Sequence, residues 1–340
     1  MTQSERPLRT TSPARRVQVI DRFLKYLHRP ERETINVLSA ARAWDRALFE
    51  QLVTAFQTGY PPTALPELRR FSFIEDVDVE GDDAGPRWTM HALMRRGLQE
   101  QWAEENVKAV HQHLFDHYAA TLENLDHRTL DETQRSALGE AFYHGRHVLE
   151  PEAFIAWFRQ ADDAFQQGAQ WRLLIPLQEE LAGVVEAAYG AEHKQTAYAL
   201  NNLADLYQQQ ANYDQAEPLY QRSLQIKEQA LGPDHPSLAT TLNNLANLYE
   251  SQGKYEQAEP LYQRALTITE QALGPDHPDV AAPLNNLARL YESQGKYEQA
   301  EPLYRRALAI MERALGLDHP NTRLVRANLA RLRDRRSGEA

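Results

Sequence analysis

Three stretches of this chain align without a gap at a spacing of 42 residues: 197–236, 239–278 and 281–320. A period in this range marks an array of small supersecondary units, each unable to bury its own apolar face and stable only when stacked on its neighbours. A fourth, weaker copy lies upstream, where Trp171, Pro176, Leu177, Gly190 and His193 stand 42 residues before Tyr213, Pro218, Leu219, Gly232 and His235. After the last full copy, Asn328, Leu329 and Ala330 repeat Asn286, Leu287 and Ala288, and residues 323–333 form only a first helix, the place of a cap.

Each unit reads as two helices. Leu242, Leu245, Ala246 and Tyr249 recur at helical spacing in the first. Gly253 stands at the turn, where a left-handed residue is needed. Tyr255, Ala258, Tyr262, Ala265, Leu266 and Leu273 share one face of the second, which Gly274-Pro275 closes. Pro260, repeated as Pro176, Pro218 and Pro302, falls inside the second helix; near its first turn and on the outer face it predicts a mild bend, not a break. His235, His277 and His319 recur in Asp-His-Pro, a helix-start signal.

With Leu200, Leu203, Ala204 and Tyr207 facing the core, Asn201, Asp205 and Gln208 form an adjacent polar stripe. Its equivalents are Asn243, Asn247 and Glu250, then Asn285, Arg289 and Glu292; the weak copy offers Arg159, Asp163 and Gln166. Amides donate and accept, so Asn201, Asn243 and Asn285 suit the grip of an extended peptide backbone. The alternative is that they bond neighbouring repeats. Peptide contact is the preferred reading for these nine residues, and the structural role is preferred for Asn202, Asn244 and Asn286.

The small-and-large pattern at Leu245, Ala246, Tyr249, Ala258, Tyr262 and Ala265 resembles the tetratricopeptide repeat, in its 42-residue kinesin-light-chain-like form. The resemblance covers about half of the chain and departs from the usual unit of about 34 residues by a longer second helix and linker. It implies a right-handed α-solenoid of helical hairpins whose concave face, lined by first helices, takes peptides or partner proteins.

Upstream, residues 17–27 and 32–40 read as short helices, and 44–56 as an amphipathic one carrying Trp44, Leu48, Leu52 and Phe56. Pro61-Pro62 ends it, and 65–70 is a short helix. Alternation over 71–79, a turn-rich EGDDAGP and a return at 87–90 predict a β-hairpin before a helix at 91–102. LSAARAWDRALFEQLV, LRRFSFIE and RWTMHALMRRGLQEQ resemble the winged-helix region of bacterial signal-transduction NTPases of the apoptotic-ATPase type. That resemblance implies a nucleotide-binding domain, but G-x-x-x-x-G-K-[ST] is absent, so such a domain belongs to another chain or is missing, and no nucleotide cofactor is expected.

The fold expectation is therefore a mainly all-α chain: 1–16 a disordered lead-in, 17–105 winged-helix-like with one β-hairpin, 106–150 a helical connector, 151–334 the solenoid with its cap, and 335–340 a disordered tail. The net charge of −11, with Glu75, Asp76, Asp78, Glu80, Asp82 and Asp83 in the wing, argues against nucleic acid, although Arg69, Arg70, Arg95 and Arg96 offer phosphate contacts to a DNA-binding alternative. No apolar run suits a membrane span and no signal peptide is read, so a cytoplasmic protein is expected. The absence of Cys removes disulfides, thiolate metal sites and thiol nucleophiles. His113 and His117 stand four apart, but they read as helix histidines packed on a neighbour and not as a metal pair. No G-x-S-x-G is present, and no catalytic residue, metal or cofactor is expected. The function expected is a non-enzymatic scaffold or sensor module; a regulatory fragment of an NTPase is the alternative.

Overall fold

The computed structural model describes residues 13–77 and 86–338. Contacts divide the chain into two units, 1–168 and 169–340.

The first unit runs α1 (Pro13–Lys25), α2 (Arg29–Ala40), α3 (Arg46–Ala55), α4 (Leu65–Leu68), β1 (Ile74–Val77), β2 (Arg87–Met90), α5 (Ala92–Gln101), α6 (Glu104–Ala120), α7 (Glu132–Val148) and α8 (Pro151–Gln167). α3 starts where expected because the Asp45 carboxylate accepts the Leu48 N–H at 2.8 Å, occupying one of the orphan donors of a helix N-terminus. β1 and β2 are antiparallel with Ile74 opposite Met90 and Val77 opposite Arg87, and Trp44 adds a further bridge to Trp88. Ile35, Leu38, Trp44, Phe49, Leu52, Trp88 and Leu98 form one buried core beneath the hairpin. α6 and α7 pack as a helical hairpin. The sequence expectation needs two adjustments here: residues 13–16 are helical, with Pro13 leading α1, and the short helix ends at Leu68. Residues 1–12 of the expected lead-in, and Asp78, Glu80, Asp82 and Asp83 of the expected acidic wing, lie outside the described residues. Asp76 is paired with Arg69 at 3.1 Å, and Arg70 with Glu31 at 2.6 Å.

The second unit is a stack of helices: α9 (Trp171–Tyr189), α10 (Lys194–Gln209), α11 (Tyr213–Leu231), α12 (Ser237–Ser251), α13 (Tyr255–Leu273), α14 (Ala281–Ser293), α15 (Tyr297–Leu315) and α16 (Pro320–Gly338). The pairs α10–α11, α12–α13 and α14–α15 are the three full repeats, and α16 packs on α15 as the cap. This is the α-solenoid that the period required. α8, read from sequence as the first helix of the weak copy, falls in the first unit.

Small residues let the helices close together. Ala204, Ala216, Ala246, Ala258, Ala288 and Ala300 are fully buried, with Tyr220, Tyr262 and Tyr304 filling the space between. The second helices run unbroken through Pro218, Pro260 and Pro302. Each ends on a glycine with positive φ, as at Gly274 with φ 91°. The linker histidines are the caps that follow: His235, His277 and His319 each accept the N–H two residues on through Nδ1, at 3.1–3.2 Å. The helix of α16 continues to Gly338, so residues 335–338 are helical and not a disordered tail.

First helices of successive repeats touch directly, α10 on α12, α12 on α14 and α14 on α16. Second helices are spanned by long ion pairs instead: Arg264 to Glu228 at 2.5 Å and Arg306 to Glu270 at 2.6 Å.

Candidate functional site

The stripe expected to meet a partner lies on α10, α12 and α14, where it forms a polar network built to one pattern. Tyr220, Tyr262 and Tyr304 stand 42 residues apart with their rings fully buried. Their hydroxyls emerge on the first helix of their own repeat. Tyr262 donates to Glu250 at 2.9 Å and Tyr304 to Glu292 at 2.9 Å. Tyr220 donates to Asp205 and lies 2.8 Å from the Gln208 side-chain amide. The following first helix then reaches back across the junction, each time over 39 residues. Asn244 donates to Asp205 at 2.8 Å. Arg289 donates to Glu250 at 3.0 Å. Arg331 donates to Glu292 through two bonds, both 2.9 Å.

The three junctions differ in charge. The first holds an unusual polar chain: the Lys227 ammonium, 1 % exposed, donates to Thr241 at 2.7 Å, Thr241 donates to Asn201 at 3.1 Å, and Asn201 donates to Asp205 at 3.1 Å. Lys227 also lies 4.6 Å from the centre of the Tyr198 ring. Burial pushes Lys227 down to about 8 against the pull of Asp205. Burial likewise lifts Asp205 to about 6, against the Tyr220 hydrogen bond and Lys227. At the second junction Arg289 bridges Asn247, Glu250 and the Tyr262 hydroxyl, at 3.0, 3.0 and 3.3 Å. At the third, Glu292 faces both Arg331 and Arg335; burial works to raise its carboxyl, but the bonds from Arg331 and Tyr304 hold it below the usual carboxylate range.

Of the asparagines read as a ladder, Asn201 is tied to Thr241 and Asn285 accepts from Asn328 at 3.0 Å, both across a junction. Asn243 donates to the Ala239 carbonyl of its own helix at 3.0 Å, and its Oδ1 has no protein partner. The Nε of Arg289 is also unpartnered. Thus all nine stripe residues sit on first helices, and most of them also serve the repeat junctions. Arg159, Asp163 and Gln166 lie on α8 in the first unit, where Gln167 donates to Asp163 at 2.8 Å.

Tyr220, Tyr262, Tyr304, Asn244 and Arg331 were not assigned to the stripe from sequence. A signal was present: Asp205 with Asn244, Glu250 with Arg289 and Glu292 with Arg331 are complementary at one fixed separation. Elsewhere, His113 packs on Phe56 and lies 3.1 Å from Gln51, as read from sequence. Among the described residues no group of three or more His, Asp or Glu has metal-binding geometry, and no helix is long and apolar enough to cross a membrane.

Residues 196–237 match the tetratricopeptide repeat family model, and residues 218–326 match the model of the Nephrocystin-3 TPR domain. The stacked hairpins of residues 196–326 are tetratricopeptide repeats. Both matches lie in the second unit. No curated protein matches the sequence. Among solved structures the chain is similar to BtubC (BKLC) from P. vanneervenii, at 21% identity over 65% of this chain and 95% of that one, with a TM-score of 0.46. It is also similar to a putative kinesin light chain with nearly identical TPR-like repeats from Podosopora anserina, at 20% identity over 65% of this chain and 92% of that one, with a TM-score of 0.41. Tetratricopeptide repeats generally mediate protein–protein interaction through the extended surface that stacking creates.

Proposed function

We propose that the second unit is a scaffold that takes an extended peptide or partner segment along the face made by α10, α12, α14 and α16. The direct contact between first helices supports placing them on the inner side of the curved stack. The observation that carries the reading is Asn243: a partly exposed polar side chain in the middle of that face, whose amide bonds only to its own helix, at the Ala239 carbonyl, and takes no part in a repeat junction.

Asn243→Ala separates partner contact from repeat architecture, because Asn243 joins no junction. Affinity capture from the native host, read by mass spectrometry, should lose its specific partner with Asn243→Ala while helical content by circular dichroism is unchanged. A capture profile identical to that of the unaltered chain overturns the reading. Within the first unit, the helices α2, α3 and α5 with the β1–β2 hairpin and the Trp44–Trp88 bridge support assignment as a winged helix that anchors or relays such binding.

A further inference from the structure

The α6–α7 hairpin carries a group of imidazoles that the scaffold reading does not use. His111 of α6 is 2 % exposed and His144 of α7 is 0 % exposed. Their Nδ1 atoms are 2.8 Å apart, so one proton lies between them. His147, on the surface of α7, stacks over the His111 ring with centroids 4.4 Å apart. A second proton on the inner pair sets two donors face to face and places two positive rings in contact.

The surroundings offer that charge little compensation. Arg42 from the α2–α3 loop and Arg95 of α5 both bias the His144 imidazole toward its neutral form, and Arg95 acts likewise on His111. Arg146 does the same for His147. The carboxyl facing the pair is Glu140, whose Oε2 lies 3.8 Å from His144 Nε2; burial pushes it up towards its neutral form, against Arg42 at 3.6 Å from its Oε1 and against Arg87 and Arg95. Tyr118 and Tyr143 pack on His144 as rings. α8 meets α7 through Phe154 and Phe158 on Phe142. Both imidazoles are shut off from solvent, and the hairpin is tight beside them: a Cβ added at Gly145 would stand 3.0 Å from the Phe115 ring and 3.3 Å from Phe154. Solvating an imidazolium here requires the helices to part.

We propose that His111 and His144, with His147 as the outer ring, form a proton-operated latch that keeps the α6–α7 hairpin closed near neutral pH and opens it in mild acid. Arg42 makes the opening consequential. Its guanidinium lies 5.2 Å from the Tyr143 ring centre and beside Glu140, and it thereby fastens α7 to the N-terminal helices. Burial holds His111 down to about 3 and His144 down to about 2, against 6.5 for a free histidine. The closed hairpin is therefore favoured fully above 6.5 and loses ground as the pH falls below it. Between pH 7.5 and 5.0 the closing equilibrium weakens by about thirtyfold for each of the two imidazoles, about a thousandfold together.

Hydrogen–deuterium exchange on the full chain at pH 7.5 and 5.0, with labelling times scaled to intrinsic exchange, tests this directly. Peptides from 104–148 should lose protection at least a hundredfold relative to those from 213–315, and regain it on return to pH 7.5. Equal loss in both segments overturns the proposal. H111Q/H144Q should hold the hairpin closed at pH 5.0; if that variant is open at pH 7.5, the histidine Cε1–H resonances of the unaltered chain decide. His111 and His144 titrating together with the loss of protection supports the latch, and their independent titration with the hairpin still closed rejects it.

Discussion

Arg331 holds Glu292 across the last junction of the repeat stack with two bonds of 2.9 Å, and the same carboxylate receives the Tyr304 hydroxyl from within its own repeat. Arg331 is half exposed, so solvent screening trims its contribution: Arg331→Ala should lower stability by about 1 kcal/mol. Arg331→Lys should fall between, since an ammonium keeps charge but not the two-pronged fit. Glu292 titrates below its ordinary range in the folded chain, so its contribution is complete above that range and disappears as the pH drops through the depressed value. Arg331→Ala should therefore move the acid limb of the unfolding curve to higher pH, as read by denaturant midpoints from pH 3 to 7.

Four equivalent turns supply an internal control for backbone strain. Residues 169, 211, 253 and 295 stand 42 apart and all have positive φ: Ala169 at 55°, Ala211 at 57°, Gly253 at 73° and Gly295 at 71°. An alanine in the left-handed region costs roughly 1–2 kcal/mol, of which the greater freedom of glycine in the unfolded chain takes back about half. Ala211→Gly should thus stabilise the stack by about 0.5–1 kcal/mol in chemical denaturation. Gly253→Ala should destabilise it by a similar amount, although a Cβ there meets nothing. Equal midpoints for the two variants would contradict the strain argument.

The hydroxyl of Tyr262 is shared by Glu250 and Arg289 while its ring fills the core, so Tyr262→Phe removes the hydroxyl and leaves the packing. We expect a loss of about 1–2 kcal/mol. The loss should shrink in the background of Arg289→Ala, a coupling measurable by a double-mutant cycle.

These bonds also show where reading the sequence stops. The period of 42, the glycines at 232, 274 and 316 and the apolar spacing of Leu242, Leu245 and Tyr249 determine local geometry, and every helix of the full repeats was legible from them. Tyr262 was legible as a core residue, but not the emergence of its hydroxyl beside Glu250, because a helical wheel gives direction and not reach. The stripe from Asn201 to Glu292 was found by the same wheel, yet its cross-junction bonds depend on how far one repeat is rotated on the next. His111 and His144 lie 33 residues apart in a hairpin with no repeat to set its register, and no pattern in either helix announces that they meet.

Lys227 occupies a position where the second and third repeats carry Thr269 and Met311, so Lys227→Met installs a side chain the fold already accommodates. Burial disfavours the ammonium more than Asp205 favours it, which is why the group falls to about 8 when folded from 10.5 when free. Between those values the unfolded chain binds the extra proton at this group, so the contribution of Lys227 to stability rises with pH from about 8 to about 10.5. Lys227→Met should flatten that rise. At pH 7 the substitution removes a desolvated charge but deprives Asp205 of its cation, and the first effect is the larger; we expect a net gain of about 1 kcal/mol. Urea midpoints of both chains at pH 7, 8, 9 and 10 test this, and an undiminished rise in the variant would show that Lys227 is not its source.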